Sequence, residues 1–266
     1  MFKHEKELKK VFEVFKGSEG NIRPHFILTG PSGSGKTYTV AKLCEDLQLN
    51  HLEINAAQLT KEGTSGNSLS KALAPLGDMP ADKPTVCFVD EFDKLFISGN
   101  QNSDLAHETT NGVQNEFLKV LESETAAVYG PYAKYVNIPI NHVLFIFAGA
   151  FNGEEGIDLD RLRELGMKTE FLGRVGLVFN TDKVPLESLL KAMRKSELMR
   201  MYLALFPKVK RQDVEAKVTE QMTEAYANNT LGFRAISTLL HRYFICGGTN
   251  QPKQEKPLFN TALELG

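Results

Sequence analysis

The stretch Gly30-Pro31-Ser32-Gly33-Ser34-Gly35-Lys36-Thr37 decides how this chain is read. A glycine, four residues and then Gly-Lys-Thr form the phosphate-loop pattern. The short apolar run Phe26-Ile27-Leu28 leads into it, and an amphipathic segment carrying Val40, Leu43, Cys44 and Leu47 follows. Strand, glycine-rich loop and helix are the context that the pattern requires. Glycines let the backbone curl so that its N–H groups converge on one point. The N-terminus of the following helix adds partial positive charge there. Lys36 is expected to reach β- and γ-phosphates, and the Thr37 hydroxyl to hold Mg²⁺. Tyr38, next in line, completes the residues expected to contact the nucleotide.

Downstream, Thr85-Val86-Cys87-Phe88-Val89-Asp90-Glu91 reads as a buried parallel strand that delivers two carboxylates at its C-terminal end. Ligand sites of open α/β sheets lie at that end. Asp90 is expected to orient Mg²⁺, directly or through a water, and Glu91 to polarise a water for attack on the γ-phosphate. Val143 to Phe147 is another fully apolar strand and runs into Ala148-Gly149-Ala150-Phe151-Asn152. Asn152 either supplies a polar group to the γ-phosphate or the attacking water, or simply ends a turn.

Between these landmarks the periodicity predicts a helix over 5–16, a strand at Leu52-Glu53-Ile54, a polar loop over 60–68 and a short helix over 70–76. A stretch from Ser98 to Asn111 reads as too hydrophilic to pack, ahead of a helix marked by Val113, Phe117, Val120 and Leu121. Residues 134–140 read as one arm of a small hairpin, and Val175 to Phe179 as the last strand. Beyond Asp182 only helices follow: one from Pro185 reaching Phe206, a second with Val214, Val218, Met222 and Tyr226, and a third with Ile236, Leu239, Leu240, Tyr243 and Phe244. Alternating strands and helices followed by helices alone predict an α/β core with a parallel sheet over 1–181 and a small helical lid over 182–247. The tail over 248–266 is expected to fray.

Composition sets limits. The 266 residues are 42% hydrophobic and 24% charged, ordinary for a globular protein, with a net charge of −2. No global basic field argues for nucleic acid or an anionic membrane. From Asp182 onward 13 Lys and Arg face 9 Asp and Glu, and the span Lys191 to Arg211 carries seven of those bases against Glu197 alone. That span reads first as a solvated helix face, and second as a contact with a neighbouring subunit or with nucleic acid. The three cysteines, Cys44, Cys87 and Cys246, have no metal-site spacing and suit a reducing compartment. Met1 to Lys10 is too charged for a secretory signal, and no apolar run approaches a membrane span. The expected location is the cytoplasm, for a protein encoded by a host or by a phage.

Taken in order, these motifs resemble those of the AAA+ ATPases, and among them the ClpX unfoldases of the Clp protease. The resemblance runs from about residue 22 to residue 246. It is carried by the phosphate loop and by Phe88-Val89-Asp90-Glu91-Phe92-Asp93-Lys94-Leu95. It continues in Gly112-Val113-Gln114-Asn115 with Phe117-Leu118-Lys119-Val120-Leu121-Glu122, and in Leu144 through Phe151. Glu170-Phe171-Leu172-Gly173-Arg174 and Gly232-Phe233-Arg234 complete it. The resemblance implies ATP hydrolysis with Mg²⁺ in a ring, expected to be a homohexamer, that unfolds or disassembles a protein partner. It implies that Arg174 is a finger for the neighbouring subunit's nucleotide, and that Arg234 acts from the lid on its own. Departures from the family temper this. The sequence reads as opening just before the core, and the family's zinc-binding domain is not expected. Gly63-Thr64-Ser65-Gly66 stands where the family carries an aromatic-aliphatic pair in its first pore loop. Asn152 through Lys168 lacks a protease-docking tripeptide, so no partnership with a proteolytic chamber is expected. The alternatives are an AAA+ protein acting on nucleic acid, such as a helicase loader, and a nucleotide-dependent scaffold with weak hydrolysis.

Overall fold

The computed structural model describes residues 3–61, 66–80, 83–96, 104–226 and 232–246. The chain divides into two compact units, Met1–Lys183 and Val184–Gly266.

In the first unit, helix α1 (Lys3–Gly17) precedes β1 (Phe26–Thr29), α2 (Lys36–Leu47), β2 (Asn50–Asn55), the short α3 (Leu69–Ala72) and β3 (Thr85–Asp90). Then come α4 (Asp104–Glu122), β4 (Thr125–Tyr129), β5 (Tyr135–Pro139), β6 (Val143–Ala148), α5 (Leu159–Glu164), α6 (Thr169–Val175) and β7 (Leu177–Asn180). Five strands form a parallel sheet in the order β2-β3-β6-β1-β7. All residues of β1 and β6 are buried, as are the first five of β3. The apolar runs therefore carry no polar face, because helices cover both sides of the central strands.

Side chains alternate between two cores. Phe26, Leu28, Val86, Phe88, Leu144 and Ile146 pack with α1 and α2. Ile27, Cys87, Val89, Phe145 and Phe147 face the opposite layer. There Phe92 and Phe171 stack at 5.1 Å, with Phe147 4.7 Å from Phe92 and 4.9 Å from Phe171 between ring centroids. This aromatic knot fixes α6 and the turn after β3 to the sheet.

Several expectations need correction. The helix expected around Val113 starts earlier, at Asp104 within the hydrophilic stretch Ser98–Asn111, and 98–103 lie outside the described residues. A helix nucleated by packing at Val113 and Phe117 can extend at little further cost, one backbone bond per residue. Val175 closes α6 instead of opening a strand, because Gly176, at φ +64°, caps that helix and β7 starts one residue later. The single helix over 185–206 is two, α7 (Leu186–Arg194) and α8 (Glu197–Leu205), since the Ser196 side chain accepts from Met199 N–H and starts a new helix. The hairpin arm at 134–140 is β5, and its partner β4 was not foreseen.

The second unit continues with α9 (Arg211–Ala225) and α10 (Arg234–Cys246). Leu189, Met193, Met199, Val214, Val218, Met222, Ile236 and Leu240 are among its buried side chains. The basic span is partly neutralised within this unit: Arg200 pairs with Glu197, and Arg194 and Arg211 with Glu215. The tail beyond 247 and the centre of the 63–66 loop lie outside the described residues. Among those described, no helix is long and apolar enough to cross a membrane.

Candidate nucleotide site

The loop leaves β1 at Thr29 and turns on three glycines with positive φ: Gly30 at +133°, Gly33 at +73° and Gly35 at +91°. Gly30 is also the point of closest approach, since a Cβ there would lie 2.0 Å from Thr181 Oγ1. Gly35 caps α2 without a side-chain bond, and the first turn of that helix carries no acid. Its leading N–H groups therefore have no protein acceptor from a capping side chain, the arrangement that receives an anion. Lys36, 9% exposed, donates from Nζ to the carbonyls of Gly30 at 2.7 Å and Pro31 at 3.1 Å. The ammonium thus arches over the loop with Pro31, Ser32 and Gly33 beneath it in sequence.

A network invisible in the sequence braces the loop from β7. Thr181 Oγ1 donates to Thr29 O at 3.0 Å and lies 2.8 Å from Ser34 Oγ. Because its proton is committed to Thr29, Ser34 is the donor of the second bond. Thr29 Oγ1 donates to Asn180 Oδ1 at 2.7 Å, and Asn180 also bonds both backbone groups of Ile157. Residues 29, 34, 180 and 181 are distant in sequence, and no local motif signals them.

The carboxylates come from the C-terminal end of β3, two strands away. Thr37 Oγ1 donates to Asp90 Oδ2 at 3.3 Å, joining the helix start to the strand end. Asp90 Oδ1 accepts the Glu91 N–H at 2.8 Å, and Glu91 is exposed in the left-handed region at φ +55°. Glu53 of β2 was missed by sequence reasoning. Burial first, and the charge of Asp90 second, push its carboxyl pKa up.

Tyr38, Asn152, Arg174 and Arg234 take no part in the bonds described above. Tyr38 is 70% exposed. Asn152 is exposed in the turn after β6, with φ +58°. Arg174, in the last turn of α6, pairs with Glu122 of α4 through Nε at 3.1 Å and Nη2 at 2.9 Å. Arg234 is exposed and opens α10 in the second unit. The structure thus gathers Gly30 through Thr37 with Asp90 and Glu91, while Arg174 lies on the surface.

The profile of the family described as "ATPase family associated with various cellular activities (AAA)" matches residues 26–159. The chain belongs to this AAA family. The matched span begins at β1 and holds the phosphate loop, Asp90, Glu91 and Asn152, so this is an ATP-hydrolysing P-loop enzyme. It is also similar to proteins named ATP-dependent Clp protease ATP-binding subunit ClpX. The one from Borrelia duttonii is 25% identical over 278 positions, covering 85% of this chain and 64% of the relative. ClpX 2 of Wolinella succinogenes is 28% identical over 244 positions, covering 79% and 60%. ClpX of Treponema denticola is 29% identical over 162 positions, covering 57% and 38%. The chain spans less than two thirds of the length of these relatives.

Proposed function

We propose that this AAA ATPase hydrolyses ATP with Mg²⁺ and couples the cycle to remodelling, unfolding or disassembly of a protein partner, working as a ring of identical subunits. The observation that carries the nucleotide chemistry is the Thr37–Asp90 contact, which brings the two sequence motifs into one site. The donor chemistry fits both groups. Three left-handed glycines, an uncapped helix start and a buried ammonium suit a polyphosphate. A hydroxyl beside a carboxylate offers the hard oxygen ligands that Mg²⁺ takes.

In this reading Lys36 and the loop amides bind the phosphates, and Thr37 and Asp90 hold the metal. A Mg²⁺ ion held by Thr37 and Asp90 would supply neutralisation of the charge that develops on the phosphates. Glu91 accepts a hydrogen bond from the attacking water, orients it and takes up its proton on the carboxylate. The bond from Glu91 N–H holds the Asp90 carboxyl against the turn on which Glu91 sits. Arg174 reaches the nucleotide of the next subunit, and Arg234 acts from the lid within its own subunit. The exposed, ion-paired position of Arg174 supports a finger that serves a neighbour, because a surface pair of about 0.2–1 kcal/mol is readily exchanged for a phosphate. The names of the relatives support a protein substrate; the missing docking tripeptide argues against a protease chamber, and the net charge of −2 with a partly neutralised basic span against nucleic acid.

Glu91→Gln tests the site. It should bind ATP normally and turn it over at least ~100-fold more slowly, the range seen when a general base is lost. Hydrolysis at the wild-type rate would place the base elsewhere.

A further inference from the structure

We propose that Asp93 is a positioning residue for hydrolysis, a staple that holds the turn bearing Glu91 against the turn bearing Asn152. The inference rests on the role proposed for Glu91 and takes the first of the two readings of Asn152, a polar group for the γ-phosphate or the attacking water. Among the described residues Asp93 is the one carboxylic acid that is buried, at 1% exposure, two positions after Glu91. A buried carboxyl is unfavourable unless its oxygens are engaged. Here Oδ2 accepts the backbone N–H of Phe151 at 3.1 Å. The same carboxyl packs close to Gly149, two residues ahead of Phe151: a Cβ there would meet Asp93 Oδ1 at 2.7 Å, Phe151 Cε2 at 2.8 Å and Asp93 Cβ at 2.9 Å. Only a residue without a side chain at 149 lets the acid approach.

The turn it grips is strained. Phe151 at φ +47° and Asn152 at φ +58° are consecutive non-glycine residues in the left-handed region, a conformation that bulky side chains avoid. Such a turn persists only when its surroundings over-determine it. Two constraints do so: the ring of Phe151 is fully buried, 6.0 Å from that of Phe96, and its N–H is held by Asp93. On the other side Glu91 is itself left-handed, at φ +55°, and opens the 3₁₀ turn Phe92–Leu95 that contains Asp93. β3 and β6 are adjacent strands, so both turns leave neighbouring strand ends. One side chain therefore ties the turn that Glu91 opens to the turn that carries Asn152. Displacements near 1 Å in such pairs cost catalysis far more than they cost binding.

The test is steady-state hydrolysis and equilibrium ATP affinity of Asp93→Ala and Asp93→Asn beside wild type and Glu91→Gln. Asp93→Ala should lower kcat by ~10–100-fold, the scale of a 1 Å misplacement, with ATP affinity within ~2-fold of wild type. Asp93→Asn keeps an acceptor for Phe151 N–H and should recover most of the loss. Full turnover by Asp93→Ala, or parallel loss of affinity and turnover without rescue by Asn, overturns the staple. If Glu91→Gln hydrolyses normally, the site reading fails first; if it is inactive while Asp93→Ala is not, the staple alone fails. Should Asp93→Ala not fold, Gly149→Ala decides, since its Cβ crowds both ends of the staple, the Asp93 carboxyl and the Phe151 ring, while leaving Asp93 in place. It should show the same fall in kcat at retained affinity, and an unchanged kcat overturns the proposal.

Discussion

Acid should weaken this protein through His25, one residue ahead of β1. Its ring is 8% exposed, and Nδ1 accepts the Phe145 N–H at 3.0 Å. That bond requires Nδ1 to be bare, so the proton sits on Nε2 of a neutral ring. Burial, and after it the nearby Arg23 guanidinium, lower the His25 pKa from 6.5 to about 4. In the unfolded chain the ring takes up its proton near 6.5; in the folded chain it does so only near 4. Between those values the unfolded state binds more protons, so stability rises with pH there. The contribution is fully present above 6.5 and is lost as pH falls through about 4. At ~1.4 kcal/mol per pH unit the whole displacement is worth about 3 kcal/mol, of which about 2 kcal/mol is lost by pH 5. Urea unfolding of wild type and His25→Gln at pH 7.5 and pH 5, followed by circular dichroism, measures it. Glutamine offers Phe145 N–H an acceptor that does not titrate. His4, His51 and His142, also lowered by burial, are common to both proteins and cancel in the comparison. Wild type should lose about 2 kcal/mol more than the variant between the two pH values. Parallel losses, within ~0.5 kcal/mol, would refute the reasoning.

Two substitutions probe the loop. Gly30→Ala places a Cβ 2.0 Å from Thr181 Oγ1 at φ +133°, so it should destabilise the first unit by at least about 2 kcal/mol in urea unfolding; a change under ~0.5 kcal/mol would remove the close-approach argument. Lys36→Ala should abolish tight ATP binding in equilibrium titration, and undiminished affinity would detach the phosphate-loop assignment from this lysine.

Much of the site was legible because its chemistry is local. The loop glycines, Lys36 and Thr37 are contiguous, and Asp90-Glu91 follow an apolar run whose burial on both faces reads directly as a central strand. The supports were not legible, because they are distant in sequence. Thr181 meets Gly30 and Ser34 only once β7 lies beside β1, and Phe151 meets Asp93 only once β6 lies beside β3. Asp93 looks like one more surface acid until its burial is known. Boundaries failed where one residue outweighed periodicity: Ser196 split a continuous apolar pattern into α7 and α8, and Gly176 ended α6 before β7. β4, with only Ala126 and Val128 buried, offered too short an alternation to detect.

The central claim is that each nucleotide site is completed by the Arg174 of a neighbouring subunit. The measurement that tests it most directly is the ATPase rate per subunit against protein concentration, with Mg²⁺, for wild type and Arg174→Ala, with light scattering to follow assembly. The account predicts a steep rise that levels off as the ring forms, and an Arg174→Ala protein that binds ATP and assembles yet stays at least ~1000-fold slower, the lower range for an arginine finger. A substantial rate that is independent of concentration while the protein is monomeric, or full activity without Arg174, would contradict it.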